Sequence, residues 1–523
     1  MLDAMSATAP RWLVALLAGA FVAAACTTGG DDSTRVTVDD EPAATTPSTG
    51  SDGATRPPRN PADDPVPADL DWRDCDGGEC AELAVPRDYD EPDGPTIDVA
   101  LIRVPASEPD RRIGSLLANP GGPGSSGVDF VRDALALFPE TLRERFDIVG
   151  FDPRGTGDTI PVDCTDSLDS VLHHDYSPDS ALERADLQAG VEAFIAECEM
   201  RSGDVLPYVA TQDTVRDMDR IRAAVGDDKL TYLGYSYGTY LGALYADFFP
   251  DRVRALLLDG AVDPELSALE SNLQQAQGFE AGLNRFLDAC ADDEACDFFG
   301  GRDTHAAFDR LVERVDQEPL PARDGREVGP NELDLGVAQS LYLGELGWDR
   351  LAAALAAATN GDGTRLLGLA DDYTGRLDDG SFDSLLEPFW AIGCVDGPPL
   401  AAPAELLDLE AEFEAAAPRL GVTFLWSALI CSLWPEPPAP DPGRLDGRGA
   451  DPIVVVGTTG DPATPFRWAE GLVDVLEPAV LVEAEGGQHT STFFGLNPCV
   501  DEMALRYLVG LEVPDDGTLC SLP

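Results

Sequence analysis

Gly234, Tyr235, Ser236, Tyr237 and Gly238 spell G-x-S-x-G, directly after the apolar run Leu230 to Leu233 and directly before a helical pattern from Thr239 to Phe249. A strand, a sharp turn and a helix form the setting in which a serine is raised as a nucleophile. Glycines two residues to either side remove the bulk that would hold strand and helix apart, so the hydroxyl projects into open space. The helix beginning at Tyr237 aims amide N–H groups and a partial positive charge at the point where an oxyanion would develop. The same pentapeptide also occurs as a tight turn with an incidental serine, so its partners decide its meaning.

A serine nucleophile needs a base, and the chain holds four histidines, His173, His174, His305 and His489. The first two are adjacent in a polar stretch with Asp175 and Tyr176, and His305 opens a helical pattern after a Gly-Gly-Arg-Asp turn. All three read as surface residues. His489 instead lies in the loop Gly486 to Thr490, after the short β-rich run Ala479 to Val482. Between nucleophile and histidine, Pro452 to Gly457 is a continuous β-branched run that reads as a buried parallel strand. It ends in a turn-rich loop containing Asp461, where open α/β sheets place their active sites. Asp461 is also a plausible turn residue in a chain with many aspartates. The joint order Ser236, Asp461, His489 is what separates the two readings.

A second oxyanion donor is expected after an earlier strand. Ser115 to Ala118 is apolar and runs into Asn119-Pro120-Gly121-Gly122-Pro123-Gly124, where Gly122 N–H is the candidate to pair with Tyr237 N–H. A phosphate-binding loop is the rival reading, but no Gly-Lys-Ser/Thr follows. Phe146 to Phe151 reads as another buried strand, with Asp152 and Arg154 bracing the turn beyond it.

With these pieces in place the chain resembles the α/β-hydrolase serine peptidases of the tripeptidyl aminopeptidase group, related to prolyl aminopeptidases and found in actinobacteria as secreted or lipid-anchored enzymes. The likeness runs from about Trp72 to Cys520 and rests on Asn119 to Gly124, Gly150 to Gly157, Gly234 to Gly242, Leu258 to Pro264, Asp461 to Pro465 and His489 to Thr490. It implies release of short peptides, tripeptides first among them, from free N-termini. One departure is Gln488, where the group usually has glycine before the histidine.

Arg11 precedes the apolar stretch Trp12 to Ala25, too short for a membrane span and suited to a signal peptide. Cys26 after three alanines looks like the lipidated cysteine of a bacterial lipoprotein, although leucine is preferred where Ala23 stands. Without lipidation the segment is an ordinary signal cleaved near Ala25. Residues 27–67, rich in Thr, Asp, Pro, Gly and Ser, read as a tether. Setting Cys26 aside leaves ten of eleven cysteines, an even set suited to an oxidising compartment. Sequence alone leaves their connectivity open; local pairing suggests Cys75–Cys80, Cys164–Cys198, Cys290–Cys296, Cys394–Cys431 and Cys499–Cys520. Their scattered spacing lacks the C-x-x-C of a metal site.

The net charge of −61, with Lys229 the only lysine, would repel nucleic acid and anionic headgroups. Binding to nucleic acid is therefore not expected. Acidity of this kind serves solubility, and its reach toward cationic substrates is limited to roughly 8 Å by physiological salt.

The expected class is α/β, an α/β-hydrolase fold with a mostly parallel central sheet flanked by helices. The expected divisions are 1–26 signal and lipobox, 27–67 tether, 68–264 first part of the core, 265–390 helical cap, and 391–523 second part of the core. Helical patterns at Leu273 to Ala289, Ala306 to Val315, Leu335 to Leu346 and Trp348 to Ala358 support the cap. A cap can close one end of a groove and place a carboxylate against a substrate's terminal ammonium. Asp396 and Glu387, flanking Phe389 to Ile392, are the candidates, set against a plain reading as solvated acids. Acyl transfer by Ser236, His489 and Asp461 needs no cofactor. Peptides with free N-termini are the expected partners, with a membrane reached through the lipid on Cys26. An esterase or lipase on the same machinery, and a non-catalytic surface-binding lipoprotein, are the competing readings.

Overall fold

The computed structural model describes residues 70–299, 303–397 and 402–522. The signal-like segment, Cys26 and the expected tether lie outside the described residues. In chain order the strands are β1 Arg73–Cys75, β2 Gly78–Pro86, β3 Thr96–Val104, β4 Gly114–Asn119, β5 Phe146–Phe151, β6 Leu230–Tyr235, β7 Val253–Asp259, β8 Leu320–Pro321, β9 Glu327–Val328, β10 Ile453–Thr458, β11 Ala479–Ala484 and β12 Thr518–Cys520. All but the small β8–β9 pair join one ten-stranded sheet, ordered β1-β2-β3-β5-β4-β6-β7-β10-β11-β12. Pairing is antiparallel from β1 through β3 to β5 and parallel from β5 onward.

Every residue of β4, β5, β6 and β10 is buried, as their unbroken apolar runs require of strands covered on both faces. Alternation divides the side chains between two cores. Leu117, Val149, Tyr232 and Val455 pack on one face, Leu116, Ile148, Leu233 and Val454 on the other. Parallel strands with helices on both faces make this the expected α/β-hydrolase fold.

Between β7 and β10 the chain is helical apart from the β8–β9 pair, from Ala268–Asp292 through Thr304–Gln317, Pro330–Tyr342, Trp348–Thr359, Thr364–Thr374, Leu386–Asp396, Pro403–Ala416 and Gly421–Ser427 to Leu429–Ser432. The helical insertion therefore extends past residue 390, and the sheet resumes at Ile453 rather than near 391. Leu386–Asp396 is the reason for the difference. All but one of its residues are buried, so its sequence carries no amphipathic stripe to mark it as part of the insertion. The opening helix, by contrast, announces itself: the Ser267 hydroxyl accepts Glu270 N–H while Glu270 accepts Ser267 N–H, a complete capping box.

The ten cysteines outside Cys26 form Cys75–Cys80, Cys164–Cys198, Cys290–Cys296, Cys394–Cys431 and Cys499–Cys520, the local pairs that the spacing suggests. Among the described residues no helix is long and apolar enough to cross a membrane.

Candidate active site

Ser236 stands between the end of β6 and the helix Tyr237–Phe248 with φ 53° and ψ −125°, a conformation costly to a residue with a side chain. Neighbouring bonds hold it there. Ser236 N–H donates to Asp259 O at 2.8 Å on β7, while Ser236 O accepts both N–H and hydroxyl of Thr239, at 2.8 and 2.7 Å. The flanking glycines are needed for space: a Cβ at Gly234 would lie 2.4 Å from Gly238 O, and one at Gly238 would lie 2.8 Å from Asn119 Oδ1.

Asp461, in the loop after β10, and His489, in the loop after β11, meet at the same edge of the sheet. His489 Nδ1 lies 2.8 Å from Asp461 Oδ2 and 3.0 Å from Oδ1, with both residues buried. An ionised carboxylate only accepts, so Nδ1 carries the proton and Nε2 is left as the base. Asp461 is itself held by Ala463 N–H and Thr464 N–H, both at 2.9 Å, and by the Thr464 hydroxyl at 2.9 Å. The imidazole packs against Gly260, whose added Cβ would come within 3.0 Å of His489 Cε1. Gly260 directly follows Asp259, which receives Ser236 N–H, so elbow and imidazole share one backbone neighbour.

Gly121 and Gly122 follow β4 with φ of 102° and 107°, the left-handed region that favours glycine. A Cβ on Gly121 would lie 2.6 Å from Tyr235 O and 2.9 Å from Ser236 Cβ, so this loop lies against the elbow. The same Cβ on Gly121 would come within 3.3 Å of Tyr237 N, the first amide of its helix, which has no acceptor within that helix.

The insertion touches all three loops. Tyr342 O accepts His489 N–H at 2.8 Å and its ring meets the imidazole edge-on at 5.4 Å. Gln275 Nε2 donates to Ala463 O at 2.8 Å, and Arg285 Nη2 to Gly460 O at 2.7 Å. Near the oxyanion loop, a Cβ on Gly124 would lie 2.4 Å from Leu385 O.

The two candidate ammonium ligands have other duties, and the expectation for them is corrected. Glu387 Oε1 accepts Cys164 N–H at 2.8 Å and Thr165 N–H at 3.1 Å, bracing a core loop. Asp396 is buried, and both its oxygens accept from Thr211. Neither carboxylate is placed as a solvated acid at a groove. The remaining histidines make local contacts, but the surface expectation is corrected for His174, whose side chain is 11% exposed and whose ring lies 4.4 Å from that of His173: His174 pairs with Asp186 at 2.9 Å, His305 with Asp288 at 2.8 Å, and His173 Nδ1 with Asp169 O at 2.7 Å. Asp152 and Arg154 brace their turn. Asp152 accepts the Ser126 hydroxyl at 2.6 Å and Asp158 N–H at 3.0 Å, and Arg154 makes a two-pronged contact with Asp217 at 2.6 and 2.9 Å.

Sequence reasoning missed Thr464 and Asp259. Asp259 Oδ2 accepts Ser491 N–H at 2.9 Å and Thr492 N–H at 2.6 Å, fixing the histidine loop to β7. Burial raises the Asp259 carboxyl, with those amides opposing the shift. Its position at the end of an apolar strand, like that of Asp461, was the available signal. Gln488, the departure noted above, folds back so that Nε2 donates to Ser491 Oγ at 3.0 Å, and the loop keeps the imidazole on Asp461.

An α/β sheet that carries serine, aspartate and histidine in this chain order, at one edge, is the scaffold of a serine hydrolase. Comparison with other proteins narrows the class. A family model described as the alpha/beta hydrolase fold matches residues 114–317, and one described as TAP-like protein matches 417–520. The chain is 38% identical over 465 residues to the serine protease Hip1 of Mycobacterium tuberculosis, covering 85% of this chain and 87% of that protein. It is 35% identical over 457 residues to carboxylesterase B of the same organism, covering 84% and 86%. It is 31% identical over 466 residues to the tripeptidyl aminopeptidase of Streptomyces lividans, covering 84% of each. The chain belongs to the α/β-hydrolase serine peptidases of the tripeptidyl aminopeptidase group.

Proposed function

We propose that this enzyme is an extracytoplasmic exopeptidase that releases tripeptides from free N-termini, through an acyl-enzyme on Ser236. The observation that carries the reading is the buried His489–Asp461 pair, 2.8 Å apart, beside the strained Ser236 elbow. His489 Nε2 takes the Ser236 proton as Oγ attacks the scissile carbonyl, and Asp461 stabilises the imidazolium. Gly122 and Tyr237 N–H groups receive the oxyanion. The imidazolium returns its proton to the leaving amine, and a water activated by His489 releases the peptide acid.

Exopeptidase behaviour is supported by the insertion, which contacts the loops of Asp461, of His489 and of the oxyanion glycines. A relative named tripeptidyl aminopeptidase points the same way. Five disulfides suit an oxidising compartment, as does the signal-like N-terminus ending at Cys26, which a lipid would anchor to the outer face of a cell membrane. The relative named carboxylesterase B favours an esterase as the second reading. Comparing unblocked and N-acetylated tripeptide anilides with p-nitrophenyl esters separates them. The exopeptidase reading expects fast cleavage of the unblocked anilide and slow cleavage of the blocked one; ester turnover without anilide cleavage overturns it. Ser236→Ala is expected to lower kcat by about six orders of magnitude on every substrate.

A further inference from the structure

One buried chain of hydroxyls joins the insertion to the residue after the nucleophile. The helix Leu386–Asp396 ends in Asp396, whose Oδ1 accepts Thr211 N–H at 2.8 Å and whose Oδ2 contacts the Thr211 hydroxyl. That hydroxyl also bonds the Tyr237 hydroxyl. Thr211 opens the helix Thr211–Ala224, and Ala210 before it offers no capping side chain. Asp396 therefore supplies from another part of the chain the acceptor that an N-terminal helix turn lacks.

The carboxylate end is fixed on its own side. Cys394, two residues earlier, is bonded to Cys431, and Val395 O accepts Ala439 N–H at 2.6 Å. Ionised, Asp396 only accepts, so Thr211 must direct its hydroxyl proton to Asp396 and take one from Tyr237. The Tyr237 ring is thereby held by a charge-directed bond in a buried place.

We infer that Asp396 is a positioning residue for the oxyanion site: acting through Thr211 and the Tyr237 hydroxyl, it holds the first residue of the elbow helix so that Tyr237 N–H keeps its aim at the developing charge. Seating of the insertion and acylation of Ser236 are coupled by this contact. The inference rests on Ser236 as nucleophile and on no assumption about substrate length.

The groups facing Asp396 are Thr211 and Asp213 from its partner helix and Tyr237 from the elbow helix, with Arg154 and Arg216 compensating Asp213. Burial pushes the Asp396 carboxyl up to about 7, against the Thr211 bonds that lower it. Protonated, it can donate to Thr211, which then donates to Tyr237, and the chain runs in reverse. Asp396→Asn fixes that reverse order, because an amide nitrogen can only donate.

The test uses the full chain and follows fluorophosphonate labelling of Ser236, kcat and KM on an unblocked tripeptide anilide and on p-nitrophenyl acetate, and inhibition by a peptide aldehyde. Asp396→Asn, Thr211→Val and Tyr237→Phe are each expected to lower kcat per labelled site on both substrates by about 10- to 100-fold, short of the loss from deleting an oxyanion donor outright. KM should stay within about twofold, and aldehyde affinity, which reports the oxyanion, should fall in step with kcat/KM. Thr211→Ser keeps the hydroxyl and should recover most of the loss. Asp396→Asn should also lose from the acid limb of kcat the titration that Asp396 contributes in wild type. Unchanged kcat per labelled site in Asp396→Asn and Tyr237→Phe overturns the proposal, as does a rise in KM at constant kcat, which would make Asp396 a substrate ligand. Wild type that resists the fluorophosphonate overturns the Ser236 reading itself, whereas labelled wild type with unaffected variants overturns only this inference.

Discussion

Asp461 at the sheet edge and Asp334 in the helical insertion are both buried carboxyls, yet their surroundings differ sharply. Asp461 accepts two amides, a hydroxyl and an imidazole N–H within 3.0 Å. For Asp334 the side-chain bond is a single one, from the Thr423 hydroxyl at 2.5 Å. Burial outweighs that bond and pushes the Asp334 carboxyl up to about 7. The loop after β10 surrounds its carboxylate with donors; the insertion gives Asp334 one. Partnerless buried atoms occur in both regions, Asn272 Oδ1, Gln275 Oε1 and both amide atoms of Gln339 in the insertion, Asn119 Nδ2, Asp259 Oδ1 and Thr492 Oγ1 at the edge. The difference between the two carboxyls is therefore local to their donors: four within 3.0 Å of Asp461, one at Asp334.

The sharpest way to break this contrast is Asp461→Asn, which leaves shape and removes charge. It should reduce kcat by about 10⁴-fold with little change in KM, because the imidazole loses both its orientation and its counter-charge. A loss below tenfold in steady-state assays would put Asp461 on the same footing as Asp334. A smaller effect is expected from Cys394→Ser with Cys431→Ser, which frees the end of the helix carrying Asp396. Denaturant titration should show a loss of about 2–4 kcal/mol in stability, and fluorophosphonate labelling should slow in the remaining folded enzyme. Smallest in its bearing on turnover is the pH dependence of stability. With a folded value near 7 and an ordinary carboxyl value unfolded, Asp334 binds more protons in the native state between about pH 4 and 7. Stability from this group is full below that window and falls as pH rises through it, by up to about 1.4 kcal/mol per pH unit. Asp334→Asn should remove that share of the slope in melting experiments across pH 4–8, leaving the share of Asp396; an unchanged slope would show that Asp334 is already charged.

Most of the catalytic edge was legible because it is written locally. The runs at Phe146 to Phe151 and Pro452 to Gly457 became β5 and β10 almost residue for residue, since strands buried on both faces leave an uninterrupted apolar signature. Gly234 and Gly238 marked the elbow because no side chain fits there. The patterned helices of the insertion were also found, Trp348 to Ala358 as Trp348–Thr359 and Ala306 to Val315 as Thr304–Gln317 with ends displaced by a residue or two, Leu273 to Ala289 as Ala268–Asp292 and Leu335 to Leu346 as Pro330–Tyr342 with ends displaced by three to five. What escaped has no periodicity to read. Leu386–Asp396 is buried nearly all round, so the far boundary of the insertion was set too early. The role of Asp396 depends on Thr211, 185 positions away, a contact that only folding creates. Asp259 acts on the distant histidine loop, whereas Thr464 acts on Asp461 in its own loop, and their types alone do not distinguish them from turn residues.

The excursion between β7 and β10 begins and ends on strands that are hydrogen-bonded neighbours, with Val454 opposite Leu257. However long the intervening chain, its two ends are clamped side by side by the same ladder, and lengthening a closed loop costs only logarithmically in entropy. The sheet thus offers a socket into which differently shaped covers can be spliced with no change in strand register. Selectivity for the acyl side can then diverge through replacement of one cassette, while the machinery that breaks the bond stays where it is.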